Sequence, residues 1–511
     1  MKKFVAIAMV AMSVGSVAAQ DYEADAVKMM RQDLGGTARA LGVGGAYSTV
    51  GADMSSITSN PAGIALYRSH EFALTTGAQF GTTDTRYAPT GTIGGQQTKQ
   101  DFVKGSVSQI GIVFASKKLS RYNNLSFDKG GSKLDRVVVA IGFQKIVDFS
   151  RNDLFSGTNA QSSYAQALAN ESNTQYAKGA AFTDISQISI PAVQAFQTYA
   201  TDYTDTFYNH LAPKIAQPVR QVGNVATQGS LSDINFTLGF NIANTVYIGA
   251  GLGVPYMNYN RYGTFTESNL HGDSTYTSSF STSLTGLGVN GRFGIIVKPV
   301  QWLRLGASVQ TPTYFRLDEN TYGHTYSSFS ANYYQADTGS VYRFNYTNPL
   351  KATFGASFYI LNWAFISVDY ELNDYTHTHF AFDGYQADAD YWNNLIAAKY
   401  KLASTVKAGA EFSYKTLRVR AGFAWMESPF RNSIAVNGYG GERFNYTAGI
   451  GYRGKRFFAD LAYVRTEYKD YYTPYSYKDA SNTTQEPGVF NSFHGNTIML
   501  TLGVKFGMNR N

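Results

Sequence analysis

From about residue 71 onward, apolar side chains alternate with small or polar ones. The segment TIMLTLGVKF (497–506) sets Ile498, Leu500, Leu502, Val504 and Phe506 on one side and Thr497, Thr501, Gly503 and Lys505 on the other. A helical period would scatter these positions, whereas the two-residue period of a strand separates them. FNYTAGIGY (444–452) behaves the same way, with Phe444, Tyr446, Ala448, Ile450 and Tyr452 opposite Arg443, Asn445, Thr447 and Gly449. So does LRVRAGFAW (417–425), where Leu417, Val419, Ala421, Phe423 and Trp425 face away from Arg418, Arg420 and Gly422.

The breaks between these segments come in two sizes. Tight ones fall near Ala243, Pro299, Leu361, Thr416 and Gly454, and long polar ones cover 82–105, 150–231, 266–285, 316–340, 376–400, 428–441 and 470–494. Short turns alternating with long loops are the layout of an outer-membrane barrel, and the long loops predict about fourteen antiparallel strands. The polar link after Lys117 is out of step and marks either a longer turn on the short-loop side or a strand placed differently from this scheme. A soluble sandwich would wet its polar face with many Lys and Glu. Here that face holds Gly, Ser, Thr and Asn with a few charges, among them Arg136, Arg292, Arg304, Asp369, Glu371, Lys407 and Glu411. Small and polar residues around a shared interior, with an apolar exterior, predict an all-β transmembrane barrel whose outside meets lipid.

Composition supports this reading. The 511 residues include 38 Tyr, 34 Phe and 49 Gly but no Cys, so no disulfide staples an exported chain of this size. Tyr and Trp settle at membrane interfaces. The opening MKKFVAIAMVAMSVGSVAA predicts a secretory signal over residues 1–19, and no later apolar run approaches the roughly 20 residues of a membrane helix. The net charge of +7 is scattered rather than gathered into a stripe, which argues against nucleic acid. The domain plan is a signal at 1–19, an N-terminal segment at 20–70, and a barrel over 71–511 with a long surface insertion at 150–231.

Several constellations were candidates for chemistry. GLGVNG (286–291) matches a dinucleotide pattern but runs into the alternating segment RFGIIV, so its glycines predict room inside a strand rather than a phosphate cradle. His377 and His379 share a predicted strand face, about 7 Å apart by strand rise, but lack a full ligand set for a metal or haem. Asp383, Asp388 and Asp390 likewise fall short of a calcium loop. No local signature joins a nucleophile to a base, so no enzymatic activity, metal or cofactor is expected. In the longest loop, Val193, Phe196, Tyr199, Tyr203, Phe207 and Leu211 recur at spacings of three and four and predict an amphipathic helix. It either packs on the barrel rim or, through Phe196, Tyr199, Tyr203 and Phe207, offers an apolar ligand its first landing.

ARALGVGGAYSTVGADMSSITSNPAGIA (38–65), GLGVNGRFGIIVKPVQWLRLGASVQTPTYF (286–315), TNPLKATFGASF (347–358) and LRVRAGFAWMESPF (417–430) together resemble the FadL/TodX family of outer-membrane transporters for long-chain fatty acids and other hydrophobic compounds. The resemblance implies a fourteen-stranded barrel of the Gram-negative outer membrane closed by a small helical hatch in its lumen. It also implies ligand capture at the surface and lateral release through a kink in the third strand, with no energy-coupling partner. Carried over, Asn60, Pro61 and Ala62, with Gly44 and Gly45, would form the hatch and gate. The third strand would be RVVVAIGFQK (136–145), with Gly142 the candidate for its irregularity. Among inward positions, Arg136, Arg292, Arg304, Arg418, Arg420 and Arg443 would suit a carboxylate headgroup or else serve as interior ion pairs. The chain departs from the family pattern in its insertion at 151–230 and in ending GMNRN. The expected partners are a fatty-acid-like ligand and the bilayer, with the protein a monomer. The competing class is a general porin or a surface haem- or ligand-binding protein.

Overall fold

The computed structural model describes residues 29–89, 96–116, 134–175, 189–204, 211–329, 332–384, 386–431, 438–478 and 483–507. The expected signal at 1–19 and most of the polar link after Lys117 lie outside the described residues. Fourteen antiparallel staves close on themselves. They are β1 (His70–Ala88), β2 (Gln97–Ala115), β3 (Leu134–Asp148, continued by Arg151–Asn159), β4 (Val219–Ile242), β5 (Val246–Asn269) and β6 (Ser274–Val300). Next come β7 (Leu303–Gln310 and Thr313–Phe329), β8 (Asn332–Asn348 and Lys351–Ile360) and β9 (Ala364–Asp374 and His379–Phe382). The last five are β10 (Leu402–Tyr414), β11 (Leu417–Met426), β12 (Gly440–Arg453), β13 (Phe457–Tyr472) and β14 (Gly488–Phe506). β14 pairs with β1 from His70↔Phe506 to Ala88↔Gly488, which shuts the barrel along all 19 residues of β1.

The alternation sorts as expected. Ile498, Leu500, Leu502, Val419, Ile450, Phe236, Leu238 and Ile248 point outward and are exposed, forming an apolar band around the wall. Trp302, Trp363, Tyr414, Tyr452 and Phe457 stand at the short-turn end of the band, where amphipathic rings meet the lipid interface. The short turns near 243, 361 and 415 carry left-handed residues Ala243, Asn244, Leu361 and Lys415, which lets two or three residues reverse the chain.

At the other end the staves run further than expected. β5 has 24 residues and β6 has 27, so the breaks at 266–285 and 316–340 shrink to a few residues each. Ser, Thr and Tyr occupy both faces there, so a period of apolar against polar disappears while the backbone stays extended.

Two helical elements sit over the long-loop end, α1 (Tyr164–Gln175) and α2 (Ile190–Gln197), and α3 (Gln386–Lys399) follows β9. The predicted helix through Leu211 stops at Gln197. Ser189 caps its start and Pro191 fits the first turn, but Tyr199 turns left-handed (φ 58°), and Thr201–Tyr203 then pairs with Leu211–Pro213 as a small hairpin. His377 and His379 do not share a strand face, because Tyr375–His377 forms a 3-10 turn that Asp374 caps. Asp388 and Asp390 lie in α3, and no cluster of His, Cys, Asp and Glu suited to a metal occurs among the described residues. The glycines at 286–291 lie inside β6, with Gly288 accommodating the Phe315 ring.

Candidate functional site: a seated hatch, an apolar cluster and an open seam

Residues 29–69 run inside the barrel. Short helices Ala38–Gly42 and Ser56–Ser59 and a 3-10 turn Pro61–Leu66 fold around Ala40, Val43, Ile57, Ala62 and Ile64, which are 0–1% exposed. This hatch is fastened to the wall on several sides. The Ser48 hydroxyl donates to Asp369 Oδ1 at 2.6 Å, the Ala38 N–H to Thr501 Oγ1 at 2.8 Å and the Gly44 N–H to Thr447 Oγ1 at 2.9 Å. From the wall, Ser308 donates to the Ser59 carbonyl at 2.8 Å and Arg304 to the Val50 carbonyl at 2.6 Å.

Asn60, fully buried, accepts from the Ala62 N–H at 3.0 Å, capping the 3-10 turn, while its amide donates to the Ile295 and Ala307 carbonyls of β6 and β7. Pro61 occupies the first position of that turn, where its missing N–H costs nothing. Backbone meets backbone along this contact. A Cβ at Gly249 would overlap Pro61, one at Gly294 would overlap the Asn60 amide, and those at Gly409 and Gly422 would overlap the Val43 carbonyl and Gly44 N–H. Gly44 and Gly45 are left-handed (φ 67° and 72°), the conformation that glycine adopts without a Cβ penalty.

Gly142 pairs in regular register with Gly111 and Asn235, and the space it leaves is taken by Met54 and Ile57 of the hatch. The ladder of β3 is irregular near its start, between Leu134 and Arg136, and more extensively beyond Gly142. The β3–β4 register shifts between Lys145 and Val147, the strand breaks at 149–150, and its continuation Arg151–Asn159 pairs only with β4. β2 pairs with β3 only from Gln109 to Ala115, whereas its pairing with β1 continues to Gln97. Beside 97–108 of β2 the backbone ladder is therefore open, bridged by side chains: the Thr98 hydroxyl donates to the Leu154 carbonyl and Lys104 reaches Asp148. Val103 on that edge is 81% exposed, against 36–50% for the eight band residues named above. The break is braced from inside. Asp148 takes Lys145 Nζ at 2.8 Å and also Lys104 of β2, and its N–H donates to Asp33 of the hatch segment at 2.9 Å. The Asp33 N–H donates to the Ile146 carbonyl at 3.1 Å, and Arg443 reaches Asp33 at 2.9 Å. Arg151 crosses the lumen to Asp470 of β13.

Above the hatch lies an apolar cluster that includes Ile146, Val147, Phe149, Tyr259, Leu317, Phe344, Tyr346, Phe380, Phe382 and Ile396, with Trp392 packed against it. Met29 and Met30 are buried in its middle, 1% and 5% exposed. Just below, Lys351 Nζ donates to the Gln32 Oε1 at 2.7 Å. The neighbouring Lys407 is instead paired with Glu371 at 3.0 Å.

All six predicted arginines face the lumen, and each is engaged. Arg292 is held by Asp233, Asn235 and Gln310, and Arg420 by Glu411 and Asp460. Arg304 and Arg443 secure the hatch segment. Arg136 donates to the Arg68 carbonyl, and Arg418 to the Lys415 and Leu417 carbonyls near the short turns. Phe196 and Tyr203 pair edge to face at 5.4 Å in the surface insertion, while Tyr199 turns to Tyr334 at 4.6 Å. Phe207 lies outside the described residues.

Sequence reasoning missed Met29, Met30, Gln32 and Lys351. It also missed α3, whose Ala389, Trp392 and Ile396 carry the three-and-four spacing that could have disclosed it.

These features define a closed antiparallel barrel of the Gram-negative outer membrane, plugged by its own N-terminal segment. Its fold is that of the FadL/TodX-type outer-membrane transporters. The P. putida toluene transporter TodX aligns with a TM-score of 0.52 and 12% identity over 93% of this chain and 99% of that one. A Pseudomonas aeruginosa FadL homologue aligns with a TM-score of 0.54 and 12% identity over 92% and 98%, and the monoaromatic hydrocarbon channel CymD with 0.50 and 11% over 93% and 98%. No protein-family model matches the chain, and no curated protein does.

Proposed function

We propose that this protein carries hydrophobic small molecules, long-chain fatty acids first among them, passively across the outer membrane by surface capture, binding inside the barrel and lateral release. One observation carries the reading: an apolar cluster in the lumen ends, through Ile146, Val147 and Phe149, at the point where β3 leaves β2. A ligand passing from cluster to seam keeps its apolar surface out of water throughout. A water-filled pore would offer it no such gain. The gate is the segment 29–33. Met29 and Met30 fill the place of an apolar tail, and Gln32 sets an amide oxygen on Lys351 where a carboxylate would sit. Asp33 ties the same segment to the break in β3. The aromatic residues Phe196, Tyr199 and Tyr203 would meet the ligand first.

A cation favours a carboxylate over a neutral hydrocarbon through a charge-assisted hydrogen bond. Lys351→Gln is therefore expected to weaken uptake of a long-chain fatty acid by the reconstituted protein about tenfold, roughly 1.4 kcal/mol, and to leave uptake of toluene unchanged. Equal loss for both would remove the fatty-acid assignment while keeping apolar transport. Mass spectrometry of ligands extracted from gently purified protein gives the direct identification. Steady ion conductance in planar bilayers would overturn the whole reading in favour of a porin.

A further inference from the structure

On the outward face of four consecutive staves, β13, β14, β1 and β2, the apolar band ends abruptly. Its last row is Phe80 and Val103, level in the ladder with Asn496 and Arg465, and Tyr463 stands one row lower. The next row away from the short turns runs Glu467–His494–Thr82–Asp101, and the one after it Lys469–Ser492–Asp84–Lys99, with Arg86 a further step up. At a strand rise of about 3.3 Å per residue these rows lie roughly 7–20 Å beyond the last lipid-facing ring, the depth of lipid headgroups and their first sugars.

Two of the three carboxylates in this patch are engaged, and the third, Asp84, stands opposite Lys99 in the ladder. Asp101 accepts from Thr82 at 2.7 Å, and Glu467 takes Arg465 at 2.9 Å. The cations of the upper rows are not. Arg86 and Lys99 are exposed with no carboxylate contact among the described residues, and Lys469 reaches only the Tyr439 ring at 5.6 Å. The outward faces of β5 and β6 carry no charge at this height. Asn258, Asn260, Tyr262 and Thr264 stand opposite Thr285, Ser283, Ser281 and Ser279. The unpaired cations of the upper rows thus gather on this side, which includes the edge of β2 that β3 leaves, while β7 and β8 carry the Arg343–Asp318 pair with Arg316 beside it.

We infer that this face binds the headgroup of a phosphorylated glycolipid of the outer leaflet. Its acyl chains would lie on Phe80, Val103 and Tyr463 and its phosphates on Arg86, Lys99 and Lys469. Lys99 and Lys469 are three strand spacings apart, about 14 Å, a width that suits a disaccharide bearing more than one phosphate better than a single phosphodiester. The apolar band directly below fixes the class of occupant, since only a membrane lipid presents tails to it and anionic groups just above.

The full-length protein in nanodiscs, probed by native mass spectrometry with diphosphoryl lipid A, its dephosphorylated form and phosphatidylglycerol, tests this. Retention of diphosphoryl lipid A at least tenfold above the other two lipids is expected. That preference should be lost in the combined variant Arg86→Gln, Lys99→Gln, Lys469→Gln and kept in Arg316→Gln, Arg343→Gln on β7 and β8. Equal retention of phosphatidylglycerol, or unchanged retention by the triple variant, overturns it. Heat-modifiable migration on gels confirms that each variant has folded.

Discussion

Asn60 shows how much one side chain does in the hatch. Its amide closes a 3-10 turn on one side and two staves on the other, so its removal strands several buried backbone groups at once. Asn60→Ala is expected to cost roughly 1–3 kcal/mol of hatch stability, read as faster hydrogen exchange over residues 60–66 with barrel amides unchanged. Gly409→Ala attacks the same contact from the wall, where the new methyl meets the Val43 carbonyl. The expected outcome is a folded barrel with residues 38–46 open to proteolysis. At this scale the sequence was informative where residue type restricts geometry, as with Asn60–Pro61 and the glycine pair at 44–45. It was silent on Lys351, because a lone lysine at a strand start reads the same whether it faces Gln32 or water.

Elements were legible in proportion to how strongly one face differed from the other. Inside the membrane band the contrast is apolar against small, and the staves announced themselves. Beyond it Ser, Thr and Tyr cover both faces, so β5 and β6 were read as ending in loops. The surface helices have a different difficulty: α2 was seen but overextended, since Tyr199 and Tyr203 keep the helical spacing while the backbone has already turned.

α1 and α2 are joined by Glu171, which accepts from both the N–H and the hydroxyl of Ser189. Burial pushes the Glu171 carboxyl above the usual carboxylate range, and the Ser189 hydrogen bonds oppose that only in part. A raised folded-state pKa gives stability that is present below the ordinary carboxylate value and is lost as pH rises through the raised one. Exchange protection of α1 and α2 is therefore expected to increase as pH falls toward the carboxylate range. Glu171→Gln should flatten that dependence, and a protection that falls with acidity would contradict it.

Over the whole molecule, strand number and the presence of a plug followed from loop spacing and from the resemblance of the N-terminal segment. The site of the break in β3 did not. Gly142 was the natural suspect, yet irregularity sits at 146–150, where Ile146, Val147 and Phe149 are individually good strand formers. What bends the strand is held elsewhere in the chain, by Asp33, Lys104 and Asp470, and no local reading reveals such long-range bracing. Arg151→Ala removes the tie to β13 and is expected to loosen the Arg151–Asn159 segment without altering the lower barrel, measurable as exchange confined to 149–159. Along β2, alternate amides between 97 and 108 are expected to exchange much faster than those between 109 and 115.

That uneven pairing has a mechanical meaning. The seam between the two ends of the chain is a long one, and the short seam is internal. Pulled apart, this cylinder would not unroll from its termini. It would split between its second and third staves and open into a ribbon edged by those two, with the first and last strands still zipped together one stave from its end.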